Sequence, residues 1–381
     1  MQPQSFTVDI ADAVLVDLRE RLARVRWPDA PPGAGWEFGT DVAYLRELVD
    51  YWRDRYDWRV QEARLNAFAQ YTVPLAGIDL HFIHQPGVGP QPQPLLLSHG
   101  WPGSVWEFHK VIPLLTDPAR FGGDPADAFT VVAPSLPGYG FSFRPGQPRF
   151  GVAAIAASFA ELMTDVLGYG RFVAQGGDWG SMISARLGLD YPERVAAIHL
   201  NYLALARDTD PLPDSPEEAQ YQRDLAAWQR EETAYQAIQG TKPQTLAFGL
   251  ADSPVGLAAW IVEKFRTWSD CGGDIESVFS KDELLTNIML YWATGAIGSS
   301  FWPYYDRLHA GGDPLPPGRR VEVPTAHSAF PREIVRPTRA RAERRFNIQR
   351  WTTMAVGGHF AALEQPEALV ADVRAFFRDY R

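Results

Sequence analysis

The sequence contains a single cysteine, Cys271, in 381 residues. One thiol cannot form an intramolecular disulfide, so the chain lacks the framework of a disulfide-stabilised secreted domain. Long hydrophobic runs are also missing, since none approaches the roughly 18 apolar residues that a membrane-spanning helix requires. The N-terminus lacks the basic region and apolar core of a signal peptide. We therefore expect a cytoplasmic protein with no membrane anchor.

Positive charge is in the minority as well. The 36 lysines and arginines are outnumbered by 46 aspartates and glutamates, which gives a net charge of −10. Such a chain is a poor partner for nucleic acid or for an anionic membrane surface, and we expect neither. Its content of 46% hydrophobic and 22% charged residues is typical of a globular protein with a sizeable core.

Hydrophobic periodicity changes along the chain and predicts its organisation. Residues 9–24 and 41–68 have the spacing of amphipathic helices, and a hairpin pattern follows in YTVPLAGIDLHFIHQPG. Strand and helix patterns then alternate as far as residue 203, with helices predicted over residues 152–168 and 181–190, and again after residue 320. This alternation favours an α/β fold with a mostly parallel sheet flanked by helices. The region between the two alternating parts is helical and rich in tryptophan and tyrosine.

We interpret this pattern as an α/β core that is interrupted by a helical cap. The predicted segments are an N-terminal helical and meander segment over residues 1–75, the core over 76–206 and 312–381, and the cap over 207–311. The N-terminal segment carries large apolar residues that need a surface to bury against. We therefore expect it to clasp both the core and the cap.

The centre of the first alternating part holds an aspartate where hydrolases commonly have serine. The stretch FVAQGGDWGSMISARLG reads as a strand, a sharp glycine turn and a helix, and no G-x-S-x-G occurs in the chain. This is the shape of a nucleophile elbow, with Asp178 as the exposed side chain. A carboxylate that attacks a saturated carbon leaves an ester, which water can cleave, whereas serine would leave a stable ether. The alternative is a turn aspartate that caps the following helix.

Cleavage of an ester requires a base, a group that orients it and an oxyanion hole. His359 follows a predicted strand in AVGGHFAALEQPE and is the candidate base, and Glu333 in HSAFPREIVRP is the candidate orienting acid. Their order after Asp178 is the nucleophile-acid-base order of α/β-hydrolases. Glu322 is a rival acid, although it lies inside a strand. The backbone N–H groups of Trp101, in SHGWPGS, and of Trp179 are candidate oxyanion donors.

Together with these candidate residues, the sequence as a whole resembles the microsomal and juvenile-hormone type epoxide hydrolases over nearly its whole length. The stretches that carry the resemblance include YWRDRYDWR, HGWPGS, LPGYGFS, GGDWG, TKPQTLAFGLADSPVGLAAWIVEKF, DELLTNIMLYW, HSAFPRE and GGHFAALEQPE. The resemblance implies an α/β-hydrolase fold and the conversion of an epoxide to a vicinal diol, with the small epoxide and water as partners and no cofactor or metal.

The resemblance also implies two tyrosines in the cap that protonate the epoxide oxygen. By motif position these are Tyr235, in AYQAIQGTKP, and Tyr304, in SSFWPYYDRL, with Tyr305 as the rival to Tyr304. Trp302 and Pro303 stand where the family often has arginine and phenylalanine, which suggests a reshaped pocket. The alternative is that these tyrosines are packing residues of the cap.

Two other functions stay open at this stage. A haloalkane dehalogenase uses the same set of aspartate, histidine and acid, with tryptophans rather than tyrosines around the leaving group. A catalytically silent protein could instead keep the pocket for binding. His81 and His84 alternate with apolar residues in a strand, so we expect them to be structural rather than metal ligands. A homodimer is compatible with the sequence.

Overall fold

A computed structural model describes residues 2–203, 205, 215–309 and 315–381. Within these ranges nine strands form one sheet in the order β1-β2-β3-β5-β4-β6-β7-β8-β9. The strands are β1 Gln4–Ser5, β2 Gln70–Leu75, β3 Ile78–Gln85, β4 Gln93–Ser98, β5 Phe129–Pro134, β6 Phe172–Gly176, β7 Val195–Leu200, β8 Val321–Ala329 and β9 Phe346–Thr353. The predicted limits of the cap, at residues 206/207 and 311/312, lie outside the described residues.

The sheet is mostly parallel, as predicted. Strand β4 pairs in parallel with β5 and β6, and parallel pairing continues through β7 and β8 to β9. The first three strands are antiparallel to their neighbours, and β2 and β3 form the expected hairpin. The N-terminal segment therefore adds β1 and β2 to one edge of the core sheet, and its predicted end at residue 75 falls at the hairpin turn.

Sixteen α-helices lie in the described ranges. They are α1 Asp12–Ala23, α2 Val42–Asp54, α3 Trp58–Leu65, α4 Val111–Thr116, α5 Val152–Glu161, α6 Asp178–Asp190, α7 Pro216–Glu231, α8 Ala234–Thr241, α9 Pro243–Asp252, α10 Pro254–Trp268, α11 Lys281–Thr294, α12 Ile297–Ser300, α13 Trp302–His309, α14 Arg339–Arg345, α15 Ala361–Glu364 and α16 Pro366–Phe377. Helices α7 to α13 lie between β7 and β8, and we call them the helical insertion.

Two helix predictions need correction. The single helix expected over residues 41–68 is broken into α2 and α3, because Asp57 accepts a hydrogen bond from the Arg59 N–H and starts a new helix. The helix expected over residues 152–168 is α-helical only to Glu161 and continues as one wider π-helical turn over Leu162–Val166. In both cases the apolar spacing continues across the break, so periodicity alone could not locate it.

Both faces of the parallel strands are covered. Along β4, Leu96 packs into one hydrophobic cluster with α5 and α6, whereas Leu95 and Leu97 pack into a second cluster with α4 and α16. Successive side chains of a strand point to opposite faces, so this alternation is what a sheet between two helical layers requires. Because β4 to β9 are parallel, their carboxyl ends lie together at one edge of the sheet.

The helical insertion is tied to the N-terminal segment. The Tyr51 hydroxyl donates to Asp282 at 2.8 Å, and the Tyr56 hydroxyl lies 3.1 Å from that of Thr286. Thr40 donates to the carbonyl oxygen of Ala259 at 2.7 Å. Helices α1 and α2 also pack on α10. The N-terminal segment therefore contacts both the core sheet and the insertion.

Of the described helices, no single one has the length and apolar content needed to cross a membrane. Helices α9 and α10 meet that test only as a pair, and they are bent by 115° at their junction.

Candidate active site

The turn after β6 holds Asp178 in a strained backbone conformation. Its φ angle is +48°, in the left-handed region that non-glycine residues rarely adopt. The turn is tight because a Cβ on Gly180 would lie 1.7 Å from the Ser98 carbonyl oxygen, and one on Gly176 would lie 2.2 Å from the Gly180 backbone. Helix α6 begins at Asp178 itself rather than at Ser181, where the sequence pattern had placed its start.

The Asp178 carboxylate points toward the loop after β4. Its Oδ1 accepts a hydrogen bond from the Trp101 N–H at 2.7 Å, and its side chain is 14% exposed. Among the hydrogen bonds of the described residues, none joins Asp178 to the first-turn N–H groups of α6 or to the N–H of Trp179. Asp178 therefore does not act as a helix cap, and only one of the two predicted oxyanion donors contacts it in the resting geometry.

His359 lies between two carboxylates. Its Nδ1 is 2.5 Å from Oε1 of Glu333, and its Nε2 is 3.5 Å from Oδ2 of Asp178. The side chains of His359 and Glu333 are each 2% exposed. Burial alone would lower the pKa of His359, but the charges of Glu333 and Asp178 outweigh burial and raise that pKa well above its ordinary value.

The two loops that carry these groups follow β8 and β9. Glu333 comes four residues after the end of β8, and His359 comes six residues after the end of β9. A single parallel β-bridge joins Arg332 to Gly358, so the loops run side by side. The rival acid Glu322 lies within β8, is 69% exposed and pairs with Arg320 on the surface. It cannot reach His359.

Tyr235 and Tyr304 come from the insertion and meet above Asp178. Their ring centroids are 5.8 Å apart, Tyr235 stacks on Trp101 at 5.3 Å, and Tyr304 contacts Trp179 edge-on at 4.7 Å. Both are buried, and burial together with the Asp178 charge raises the pKa of each phenol well above 10. The Tyr235 hydroxyl accepts a bond from Gln236 Nε2 at 2.9 Å, whereas the buried Tyr304 hydroxyl has no partner among the described residues.

Tyr305 points elsewhere. Its ring stacks between Trp302 at 4.8 Å and His309 at 4.0 Å, and it lines a surface groove of about 820 Å³. Adjacent residues of an α-helix are rotated by about 100° around its axis, so Tyr304 and Tyr305 cannot both face Asp178. Of the two, Tyr304 is the one that lies beside Tyr235 and Trp179.

One residue near the site was missed by the sequence analysis. Glu107 lines a cavity of about 20 Å³ together with Asp178, His359 and Ser98. Burial raises the pKa of Glu107 to about 8, so this group is mostly a neutral acid at pH 7. The available signal was a lone charge in the apolar run VWEF, directly after the HGWPGS loop.

This cavity is suited to one water molecule. Its volume exceeds the roughly 10–15 Å³ that a water requires, and a buried water needs two to four polar partners. Candidates are the Glu107 carboxyl group, the unpaired buried hydroxyl of Ser98 and the imidazole of His359. A water held there would lie beside both the nucleophile and the base.

His81 and His84, which the sequence analysis singled out, take structural positions. His81 is fully buried, with Nδ1 at 2.9 Å from the Ser135 hydroxyl and Nε2 at 3.0 Å from Gln70 Oε1. His84 Nε2 lies 2.8 Å from the Tyr169 hydroxyl. Among the described residues, no three histidine, cysteine or acidic side chains are grouped so that they could hold a metal ion.

Comparison with known proteins identifies relatives along the whole chain. A family model described as epoxide hydrolase N terminus matches residues 3–108, and one described as alpha/beta hydrolase fold matches residues 93–269. Epoxide hydrolase 1 of Sus scrofa is 38% identical over 399 aligned positions, which cover 97% of this chain and 87% of that protein.

Solved structures show the same similarity in three dimensions. The epoxide hydrolase of Aspergillus niger matches with a TM-score of 0.88 and 31% identity, over 100% of this chain and 97% of that one. The juvenile hormone epoxide hydrolase of Bombyx mori matches with a TM-score of 0.85 and 30% identity, over 100% and 94% respectively. The predicted fold class is thereby confirmed.

Proposed function

This chain belongs to the epoxide hydrolase family with the α/β-hydrolase fold, and on that basis we propose that it converts an epoxide to a vicinal diol through a covalent ester on Asp178. The observation that carries the proposal is a carboxylate on an elbow, with two buried phenols on one side and a histidine–glutamate pair on the other.

In the first step Asp178 attacks a ring carbon of the epoxide. Because the Trp101 N–H holds Oδ1, Oδ2 is the oxygen that forms the new C–O bond. The ring C–O bond breaks, and the departing oxygen takes a proton from Tyr235 or Tyr304. A phenol suits this role because it is neutral in the resting enzyme and becomes a better acid as its partner gains negative charge.

In the second step water attacks the carbonyl carbon of the ester. Formation of the ester removes the Asp178 charge, which is one of the causes of the raised pKa of His359. That pKa therefore falls, and the neutral imidazole can accept a proton from water at Nε2 while Glu333 fixes its tautomer. The Trp101 N–H stabilises the oxyanion. As the tetrahedral intermediate collapses, the imidazolium of His359 returns its proton to the leaving oxygen of the diol. The proton on the regenerated Asp178 carboxyl group passes to the tyrosinate left by the first step, which restores both Asp178 and the phenol.

Glu107 belongs to this second step in the proposal. The cavity that it shares with His359 and Asp178 is where the attacking water would reside. A neutral carboxylic acid both donates and accepts hydrogen bonds, so it can orient a water without adding a second negative charge beside Asp178. The helical insertion acts as a cap, because it supplies both phenols and excludes bulk water.

One observation favours a second activity. The indole N–H groups of Trp101 and Trp179 are buried without a partner among the described residues, and such donors could hold a departing halide. A haloalkane dehalogenase would then use the same nucleophile and base. Release of halide from a chloro- or bromoalkane, measured beside diol formation from the matching epoxide, separates the two activities, and we expect the diol reaction to dominate.

A trapped intermediate tests the proposed function. His359→Gln leaves Asp178 able to open the ring but removes the base, so the variant mixed with a styrene-type epoxide should gain the mass of one substrate molecule. Proteolysis should place that mass on the peptide that contains Asp178, and Asp178→Asn should gain no mass and form no diol.

The acid offers a matched pair of controls. Glu333→Gln should slow diol formation. Glu322→Gln changes a surface carboxylate that does not contact His359, so the rate of diol formation should stay the same. A His359→Gln protein that binds substrate normally but stays unmodified would contradict the covalent mechanism.

A further inference from the structure

The end of helix α10 lies against the loop that carries His359. The backbone N–H of His359 donates to the Trp268 carbonyl oxygen at 2.9 Å. The N–H of Gly357 donates to Oδ2 of Asp270, also at 2.9 Å. Residues 268–270 belong to the helical insertion, about 90 positions before His359 in the sequence. The base loop is therefore bonded to a different segment of the chain at His359 itself and two residues before it.

Glu364 closes this arrangement into a ring of hydrogen bonds. Its Oε2 accepts from the Asp270 N–H at 2.8 Å, and its Oε1 accepts from the Phe360 N–H at 2.9 Å. Arg332, beside Glu333, lies 3.7 Å from the other carboxylate oxygen of Asp270. The loops of the base and of the acid thus share Asp270 as a partner.

Close packing reinforces these bonds. A Cβ on Gly358 would lie 2.6 Å from the Trp268 carbonyl oxygen and 3.0 Å from Cα of Ser269, so only glycine fits there without a shift. The Trp268 indole also meets the His359 imidazole edge-on, with centroids 5.0 Å apart. The same segment therefore contacts both the ring and the backbone of His359.

We propose that residues 268–270 of the insertion form a positioning segment for the base, with Asp270 as the residue that fixes the His359 loop for hydrolysis of the ester. This inference rests on the proposed function. Asp270 takes no part in the bond changes of either step, and it acts by holding Nε2 of His359 at the distance from Asp178 that the second step requires. The insertion therefore serves both steps, since it also carries the phenols of the first.

The proposal predicts a selective defect. Asp270→Ala removes the acceptor of the Gly357 N–H, so the loop shifts and hydrolysis of the ester should slow by about tenfold or more. Ring opening depends on Asp178 and the phenols and should keep its rate. The fraction of enzyme that carries the ester at steady state, measured by acid quench and intact-protein mass, should rise accordingly. Asp270→Asn keeps an acceptor oxygen and should restore most of the rate.

Asp282→Ala is the matched control. Asp282 is also an acidic residue of the insertion that accepts a hydrogen bond from another segment, here from Tyr51, but it lies outside the base loop. It should change neither step, although both alanine variants lose side-chain contacts between the insertion and the rest of the protein. Equal slowing of the two steps in Asp270→Ala, or the same ester accumulation in Asp282→Ala, would overturn the positioning role.

The failure of this proposal can be told apart from the failure of the proposed function. If no ester forms on Asp178 in His359→Gln, the covalent mechanism itself is wrong. If that ester forms and Asp270→Ala hydrolyses it at the wild-type rate, only the positioning role is wrong.

Discussion

The Tyr304 hydroxyl is expected to stabilise the transition state of ring opening but not the resting fold, and Tyr304→Phe removes it. The Tyr304 hydroxyl is buried and has no hydrogen-bond partner among the described residues. A buried polar group without a partner destabilises a protein by about 1–3 kcal/mol. Phenylalanine keeps the ring and its contacts with Trp179 and Tyr235. We therefore expect the free energy of unfolding to rise by about 1 kcal/mol.

The same change should slow ring opening. A hydrogen bond to a charged oxygen contributes about 1.5–3 kcal/mol, which corresponds to roughly 10- to 150-fold in rate. Tyr235 remains as a donor, so we expect the lower end of this range for Tyr304→Phe alone. The double change to phenylalanine leaves no donor and should reduce ring opening by far more than either single change.

Two measurements test this prediction together. Denaturant unfolding without substrate gives the stability, and rapid mixing of excess enzyme with epoxide gives the rate of ring opening. Tyr305→Phe is the control, because Tyr305 packs between Trp302 and His309 away from Asp178 and should leave ring opening unchanged. A destabilised but fully active Tyr304→Phe, or an inactive Tyr305→Phe, would refute the reasoning.

Three further predictions concern the base, the core and the N-terminal segment. Hydrolysis of the ester should decline on acidification as His359 becomes protonated. Because the ester lacks the Asp178 charge, the pKa that governs this decline should lie below the His359 pKa that an NMR titration of the free enzyme gives. In the free enzyme the pKa of His359 is raised, so its charged imidazole stabilises the fold at low pH. The free energy of unfolding, measured with denaturant, should therefore lose this contribution as the pH rises through the folded-state pKa of His359. Asp372→Asn should lower the free energy of unfolding by about 2 kcal/mol, because the buried Asp372 carboxylate accepts hydrogen bonds from Arg350 at 2.6 Å and from Thr352 at 2.7 Å, while solvent screens the partly exposed Arg350. Deletion of residues 1–70 should give insoluble protein, since α1 and α2 pack on α10, and a soluble, fully active truncation would contradict that packing.

The parts of the site that the sequence could predict are those with a local signal. The glycines around Asp178 mark a strand, a tight turn and a helix within nine residues. His359 and Glu333 follow strands, and the carboxyl ends of parallel strands meet at one edge of a sheet, so their proximity could be expected. The structure brings their nitrogen and oxygen atoms to 2.5 Å.

The parts that could not be predicted depend on contacts between distant segments. Nothing near Asp270 in the sequence indicates that its carboxylate binds the Gly357 N–H, 87 positions away. The lone charge in VWEF singles out Glu107, but its burial beside Asp178 follows only from the fold. The sequence could not separate Tyr304 from Tyr305, because the side of α13 that faces Asp178 is decided by how the helix packs and not by the spacing of residues in the sequence.

A single turnover in ¹⁸O-water tests the covalent ester most directly. With enzyme in excess over epoxide, the oxygen added to the substrate should come from Oδ2 of Asp178, because water attacks the ester carbonyl and not the ring carbon. The first diol should therefore carry no label, and the peptide that contains Asp178 should gain heavy oxygen. Labelled diol from that first turnover, with an unlabelled Asp178 peptide, would show direct attack by water and would contradict the mechanism.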